Sequence, residues 1–144
     1  MTQEQKELLL KDLCARLPYG VKIELTNNGS YHHENIAKKG DKTIDKLKGF
    51  TDKYFTIHHD NSLDWDWGDS EIEIEDIKPY LFPLSSMTDE QKEEYCHLQQ
   101  KIIYNSKGLV NTDIMEYINW CYKNSLDVNG LIPMGLANDA TGLN

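Results

Sequence analysis

Near its amino terminus the chain carries the segment TQEQKELLLKDLCARLPYGVKIEL, residues 2–25, in which a helical pattern passes directly into a strand pattern. Thr2 and Gln5 have the spacing of a capping box, and apolar residues follow at helical intervals. This pattern predicts a helix that runs to about Arg16 and stops at the Pro-Tyr-Gly sequence shortly after it. Val21–Leu25 then alternates apolar and polar residues, which is typical of a half-buried strand.

Three further strands are predicted from alternation and from β-branched or aromatic content: one near Thr43–Phe50, one at Lys53–His59 and one at Ser70–Ile77. The last two are expected to form a hairpin around Asn61–Asp69. The segment Lys78–Leu84 contains two prolines, which cannot donate a hydrogen bond to a sheet. It is therefore predicted to leave the sheet as an apolar strap against the core.

The carboxyl-terminal part is predicted to hold two helices. A second capping box, Thr88 with Gln91, begins a helix that is expected to end near Asn105, and a third helix is expected over 112–124. Residues 137–144 are expected to be a frayed tail. The chain is thus predicted to be α+β, with a small, mostly antiparallel sheet of about three or four strands. One face of this sheet is expected to be packed by the N-terminal helix and the C-terminal helix pair.

A chain of 144 residues has the usual length of one domain, so residues 1–144 are predicted to fold as a single domain. The formal net charge is −9, and the only arginine, Arg16, stands against fourteen lysines. An acidic surface repels phosphate backbones, and the planar guanidinium fork that clamps phosphate or guanine is available at one position only. No duplex nucleic acid is therefore expected as a partner.

The three cysteines are isolated in segments with helical patterns, at Cys14, Cys96 and Cys121. An odd and scattered set predicts neither a disulfide framework nor a CxxC metal site, so reduced core residues are expected and no cofactor is predicted. The amino-terminal sequence lacks a signal-peptide pattern, and no apolar run approaches the ~20 residues of a membrane span. These features predict a cytoplasmic protein without a membrane partner.

The most acidic segment is HHDNSLDWDWGDSEIEIED, residues 58–76, which holds two of the three tryptophans and no lysine or arginine. Trp65 and Trp67 are two residues apart, so their indoles share a face if the segment is extended. Carboxylates flank them at Asp64, Asp66 and Asp69. Such a face can stack on a base or anchor a partner protein, and it is the main predicted binding surface. The alternative is that the indoles cover the core at the end of the hairpin.

The same segment contains residue types that bind metal ions, with His58, His59 and Asp60 as the candidates. Adjacent histidines in a strand point to opposite faces, so both cannot reach one ion without a bulge. The glycine of an EF-hand loop stands sixth, whereas here it is fifth. No metal site is predicted, and a metal-dependent hydrolase using His58 or His59 with Asp60, Asp64 and Asp66 stays as an alternative function.

Three segments carry a family resemblance: LLLKDLCARLPYGV at residues 8–21, IKPYLFPLSSMT at 77–88 and GLIPMGLA at 130–137. They resemble a family of small uncharacterised proteins from phages and prophages of gut Bacteroidetes. The resemblance implies a mobile-element accessory protein in the cytoplasm of a bacterial host, where such proteins often act by binding host or competitor machinery. Arg16, Tyr19 and Tyr80 lie in these segments and are secondary binding candidates.

The function predicted from the sequence is non-enzymatic binding. The chain is expected to be a phage accessory protein that engages either a host or defence protein or a small nucleotide-like ligand. A metal-dependent hydrolase and a structural or assembly component of a virion are the alternatives. The sequence contains no nucleophile elbow and no phosphate-binding glycine loop. A homo-oligomer is compatible with the sequence.

Overall fold

The structure is a computed structural model, and it describes residues 1–26, 39–50, 55–58, 73–104 and 111–143. These ranges contain three α-helices, which are α1 (Gln3–Arg16), α2 (Asp89–Tyr104) and α3 (Asn111–Lys123). They also contain five strands, which are β1 (Lys22–Thr26), β2 (Lys42–Phe50), β3 (Phe55–His58), β4 (Ile77–Leu81) and β5 (Asn138–Asp139). The strand order across the sheet is β3-β2-β1-β4-β5.

The first four strands are antiparallel to their neighbours, whereas the short β5 runs parallel to β4. With an N-terminal helix and two C-terminal helices, this arrangement confirms the predicted α+β class and the mostly antiparallel sheet. Strands β2 and β3 lie where strands were predicted. Their pairing register shifts between Leu47 and Gly49, which marks a bulge in β2.

The predicted starts of α1 and α2 are confirmed, because both capping boxes form. The backbone amide of Gln5 donates to the Thr2 hydroxyl at 3.1 Å, and the Thr2 amide donates to the Gln5 side chain at 2.9 Å. Thr88 and Gln91 exchange the same two bonds. Each box satisfies two of the amides that a helix leaves without intrahelical partners at its N-terminus.

The core lies between α1 and one face of the sheet. Leu9 and Leu13 of α1 are fully buried against a cluster that includes Ile23 and Leu25 of β1 and Ile77 of β4. The alternation seen in the β1 sequence is the cause, since successive side chains of a strand point to opposite faces. The β1 residues that alternate with Ile23 and Leu25 therefore belong to the other face of the sheet.

The prediction that Lys78–Leu84 leaves the sheet is wrong, because β4 pairs with β1 in the register Ile23 to Pro79 and Glu24 to Lys78. Proline is tolerated for a geometric reason. The Ala140 amide donates to the Leu81 carbonyl at 2.8 Å, so residues of the same parity, including Pro79, direct their backbone polar groups away from β1. The missing N–H of Pro79 thus falls where β5, which pairs only with Tyr80 and Leu81, does not reach.

The predicted strand Ser70–Ile77 is wrong at its described end. Ile74–Asp76 form a single 3-10 turn, in which the Asp76 amide donates to the Glu73 carbonyl at 3.0 Å. Ile74 packs against the core, and Glu75 forms an ion pair with Lys6 of α1, whose hydrogen bond and charge lower the pKa of Glu75. Contacts with α1 therefore override the strand preference of this alternating sequence. The hairpin predicted around Asn61–Asp69 lies outside the described residues.

The tail predicted to fray over 137–144 is ordered against β4 as far as it is described. Asn138 and Asp139 form β5, and the flanking Ala137 and Ala140 are 6% and 3% exposed. Alanine side chains are small enough to fit beneath the edge of the sheet, and the backbone bond from Ala140 to Leu81 holds the segment there.

Helices α2 and α3 pack side by side through Tyr95 and Tyr117, whose hydroxyls lie 3.0 Å apart. The prediction that all three cysteines are core residues is wrong for Cys96, which is exposed on α2, although Cys121 is buried. All three are free thiols. Among the described helices, none combines the length and apolar character needed to cross a bilayer.

Candidate ligand-binding pocket

The face of the sheet opposite α1, called the outer face here, is rich in lysine. It carries Lys22 and Glu24 of β1, Lys42, Ile44 and Lys46 of β2, and Lys78 and Tyr80 of β4. Lys22, Lys42 and Lys46 are exposed. Four lysines against one glutamate leave these positions with a formal charge of +3, in a chain whose net charge is −9. The outer face is therefore a local positive surface on an acidic protein.

Two of these lysines face each other directly across adjacent strands. The β1–β2 register pairs Lys22 with Lys46, so their Cβ atoms are expected about 4.5–5.5 Å apart on the same face. Like charges in directly opposed positions destabilise a sheet. We therefore expect the pair to destabilise the fold by a fraction of a kcal/mol, because both side chains are exposed to solvent.

Replacement of Lys46 by Gln is expected to stabilise the fold by about 0.2–1 kcal/mol at low salt, because it removes the repulsion from Lys22. In about 1 M salt the gain should shrink, since the screening length falls to about 3 Å. Urea unfolding at both salt concentrations measures it. Lys42→Gln is the matched control, because Lys42 pairs with Glu24 at 3.3 Å and its loss should bring no gain. Equal stabilities of wild type and Lys46→Gln at low salt would contradict the prediction.

Glu24 fixes the position of the Tyr80 side chain on the outer face. The Tyr80 hydroxyl donates to Glu24 Oε2 at 3.2 Å, and Lys42 Nζ lies 3.3 Å from the other carboxylate oxygen. Burial, with the nearby Glu24 charge, raises the pKa of Tyr80. Tyr80 is therefore a neutral donor near pH 7, and its ring is held on the outer face beside β1.

A pocket of about 210 Å³ opens at this end of the sheet. We call it the Tyr80 pocket, and its lining residues are Gly20, Lys22, Tyr80, Phe82, Ser125, Ala140 and Leu143. Lys22 and Tyr80 belong both to the outer face and to the pocket. Sites for drug-sized ligands usually measure about 300–1,000 Å³. The Tyr80 pocket is thus sized for one ring system of a ligand, with the remainder lying on the outer face.

The pocket walls are held by backbone hydrogen bonds between segments distant in sequence. Phe82 donates to the Ser125 carbonyl at 2.8 Å and accepts from the Asp127 amide at 2.9 Å, which joins the end of β4 to the chain after α3. Gly20 has φ of 72°, a left-handed conformation that favours glycine, and it turns the chain from the 3-10 turn Leu17–Tyr19 into β1. Four separate segments of the chain therefore line one pocket.

Ser125 occupies a strained backbone position. Its φ of 56° is left-handed, and it ends α3 in a Schellman motif with bonds from Ser125 to Tyr122 and from Leu126 to Cys121, both 3.0 Å. Glycine is the usual residue at this position, since a side chain in the left-handed region costs about 1–2 kcal/mol. In this chain the position is occupied by serine, which is one of the residues that line the Tyr80 pocket.

The structure locates some of the site residues predicted from the sequence, and the others lie outside the described ranges. Tyr80 lines the pocket, and Tyr19 is 40% exposed next to Gly20 without lining it. Position 58 lies in β3 with its backbone opposite Lys46. The other predicted residues of the acidic segment lie outside the described residues: His59, Asp60, Asp64, Trp65, Asp66, Trp67 and Asp69.

Arg16 does not lie on an accessible surface, so its assignment as a binding residue is corrected. Its side chain is fully buried, with Nε 2.5 Å from Asp12 Oδ1 and Nη2 donating to Asp12 Oδ2 at 3.0 Å and to the Leu126 carbonyl at 2.8 Å. The guanidinium also lies over the ring of Tyr122, 4.8 Å from its centre. Asn129 donates to Asp12 at 2.8 Å. Arg16 thus joins α1 to the chain after α3.

Lys22, Phe82 and Ser125 are pocket residues that were not identified from the sequence. Alternation in β1 indicates that Lys22 faces outward, but it does not reveal which β2 residue lies opposite. The part of the chain that the structure describes contains no group of three or more His, Cys, Asp or Glu side chains placed to hold a metal ion. Comparisons with protein-family models, curated proteins and solved structures found no match to this chain.

Proposed function

We propose that this chain is a non-enzymatic binding protein whose ligand is small and nucleotide-like and occupies the Tyr80 pocket. The observation that carries the proposal is that two residues disfavoured by local energetics, Lys22 by its register partner and Ser125 by its backbone conformation, both line that pocket. Natural proteins depart from local stability rules mainly at functional sites. A ligand that uses both side chains would account for both departures.

The chemistry of the lining supports a ring that carries an anionic group. Tyr80 and Phe82 offer aromatic surface for stacking, and Phe82 is 38% exposed. The Lys22 ammonium is a mobile point charge suited to phosphate, and the Ser125 hydroxyl can donate or accept one hydrogen bond. A heterocycle linked to phosphate combines all of these features.

Binding is favoured over catalysis by what the described lining contains. The lining residues include the hydroxyls of Ser125 and Tyr80 and the amine of Lys22, but no carboxylate or imidazole, which are the usual general bases for a serine nucleophile. A serine without such a base is a weak nucleophile. The described pocket therefore supports recognition of a ligand more directly than its hydrolysis.

The biological setting is proposed from the three segments that resemble phage and prophage proteins. In that setting the chain is an accessory protein of a mobile element, acting in the bacterial cytoplasm by sequestering or sensing its ligand. A host or defence protein is the second kind of partner expected from the sequence. The pocket favours the small ligand, because a cavity of ring size lined by Lys22 can hold one nucleotide in a defined position.

Calorimetric titration of the purified chain with AMP, GMP, CMP and UMP tests the proposal. At least one nucleotide is expected to bind, and Lys22→Gln should weaken that binding by about 10-fold or more, because a charge-assisted hydrogen bond contributes roughly 1.5–3 kcal/mol. Binding to none of these nucleotides and to none of their diphosphates would refute the proposed function.

Ser125→Gly provides the second arm, since it relieves strain while removing the hydroxyl. The variant should be as stable as the wild type or more stable by up to about 1 kcal/mol, because left-handed strain slightly exceeds the entropy cost of glycine. Its affinity for the nucleotide should fall about two- to tenfold. Unchanged affinity would remove Ser125 from the site. A weaker affinity with raised stability separates a role in binding from damage to the fold.

A further inference from the structure

We infer that the ligand of the Tyr80 pocket carries at least two linked phosphate groups, which makes it a nucleoside diphosphate or a longer polyphosphate. This inference rests on the proposed function and names the class of ligand. It follows from a second feature of the outer face, the line of side chains that leads away from the pocket.

Three neighbouring strands place Lys46, Lys22 and Tyr80 in one line, called the cationic row here. The β1–β2 register sets Lys46 opposite Lys22. Lys22 and Tyr80 lie one position beyond the last β1–β4 pair, Ile23 with Pro79, and both line the Tyr80 pocket. Neighbouring strands lie about 4.7–4.9 Å apart, so the row spans about 10 Å from Tyr80 to Lys46. Its Tyr80 end lies in the pocket and its Lys46 end lies on the exposed sheet.

A ring seated against Tyr80 and Phe82 therefore directs its phosphate chain along the row. The first phosphate meets Lys22, which lines the pocket, and the next extends toward Lys46. Lys42 stands apart from this line, because Glu24 holds it at 3.3 Å. The row thus offers cationic groups at two successive points along a linear anion.

The repulsion between Lys22 and Lys46 gives an energetic reason for an anion to bind between them. Without a ligand, two like charges occupy directly opposed positions on adjacent strands. A diphosphate lying between them places negative charge within reach of both, so the unfavourable pair becomes two charge-assisted contacts.

The test compares adenosine, AMP, ADP and inorganic pyrophosphate by calorimetry at low salt, with the equivalent guanosine series run alongside. The diphosphate of the better-bound base should bind about tenfold more tightly than its monophosphate, as expected for one added charge-assisted contact. Pyrophosphate should bind more weakly than the diphosphate, because it lacks the ring. Lys46→Gln should reduce the diphosphate affinity to about that of the monophosphate and leave monophosphate binding unchanged.

Lys78→Gln is the matched control, because Lys78 lies on the same face but opposite Glu24, outside the cationic row. It removes the same charge and should change diphosphate affinity by less than about twofold. An equal loss in Lys78→Gln and Lys46→Gln would show general attraction by the face and overturn the inference. Equal affinities for mono- and diphosphate would overturn it while leaving the proposed function intact, and no binding of any nucleotide would refute both. Pyrophosphate binding as tight as the diphosphate would also overturn it.

Discussion

Asp12→Ala is expected to lower the free energy of unfolding by about 3–5 kcal/mol, because it leaves the Arg16 guanidinium buried without its carboxylate. Arg16 is fully buried, and its Nη1 atom already has no hydrogen-bond partner among the described residues. The substitution also removes the acceptor of Asn129. Since domains of this size are stable by about 5–15 kcal/mol, a large share of the total would be lost. Chemical denaturation followed by circular dichroism measures it.

Two variants show whether the loss comes from the uncompensated charge. Asp12→Ala combined with Arg16→Met should recover most of the stability, because an apolar pair of similar volume often replaces a buried ion pair at little cost. Lys11→Ala changes the neighbouring exposed residue on α1 and should stay within about 0.5 kcal/mol of the wild type. A double variant as unstable as Asp12→Ala would show that the charged pair itself, with its bonds to the chain after α3, stabilises the fold.

Leu9→Ala is expected to cost about 2–5 kcal/mol of folding stability, because Leu9 is fully buried between α1 and the sheet. The lost contacts are those with the β1 and β4 side chains of the core, and rigid strands close only partly around the cavity that remains. The midpoint of urea denaturation, with its slope checked for constancy, measures the change.

Leu10→Ala is an unusually close control for this experiment. Leu10 is the next residue of α1 and is 40% exposed, so the same chemical change should cost about 1 kcal/mol or less. Both substitutions alter helix propensity equally, and their difference therefore isolates burial. Similar costs for the two variants would contradict the placement of the α1 core face.

The sequence predicted the elements whose cause is local. Thr2 with Gln5 and Thr88 with Gln91 exchange bonds over three residues, so the two helix starts could be identified from spacing alone. Alternation in β1 similarly revealed its buried side, which packs against α1 as expected for a half-buried strand. The α+β class followed from the order of these elements.

The sequence misled where a non-local contact changed the outcome. Proline in β4 argued against a strand, but the position of β5 along the neighbouring edge makes the missing N–H harmless. Ile74–Asp76 alternate like a strand, yet contacts with α1 hold them in a turn. The last residues were expected to fray because they are terminal, whereas Ala140 bonds to Leu81.

The binding site shows the same difference between features with local causes and features that depend on non-local contacts. Of the predicted binding residues that the structure describes, Tyr80 lines the Tyr80 pocket, and Arg16 and Tyr19 do not. The resemblance drew attention to Arg16, but the carbonyl it binds is 110 residues away at Leu126, so its burial left no local trace in the sequence. The opposition of Lys22 and Lys46 likewise exists only because two strands pair in one register.

Helix caps and strand alternation are properties of residues within one turn or one strand, and the amino-acid order is enough to specify them. The cationic row, the strained Ser125 and the buried Arg16 arise from strand register and from chain segments that meet only after folding. Those meetings depend on packing and on loop-closure entropy, which no short sequence pattern records. For this protein, the helix starts and the buried side of β1 could be read from the sequence, whereas β4, β5 and the Tyr80 pocket were visible only in the folded chain.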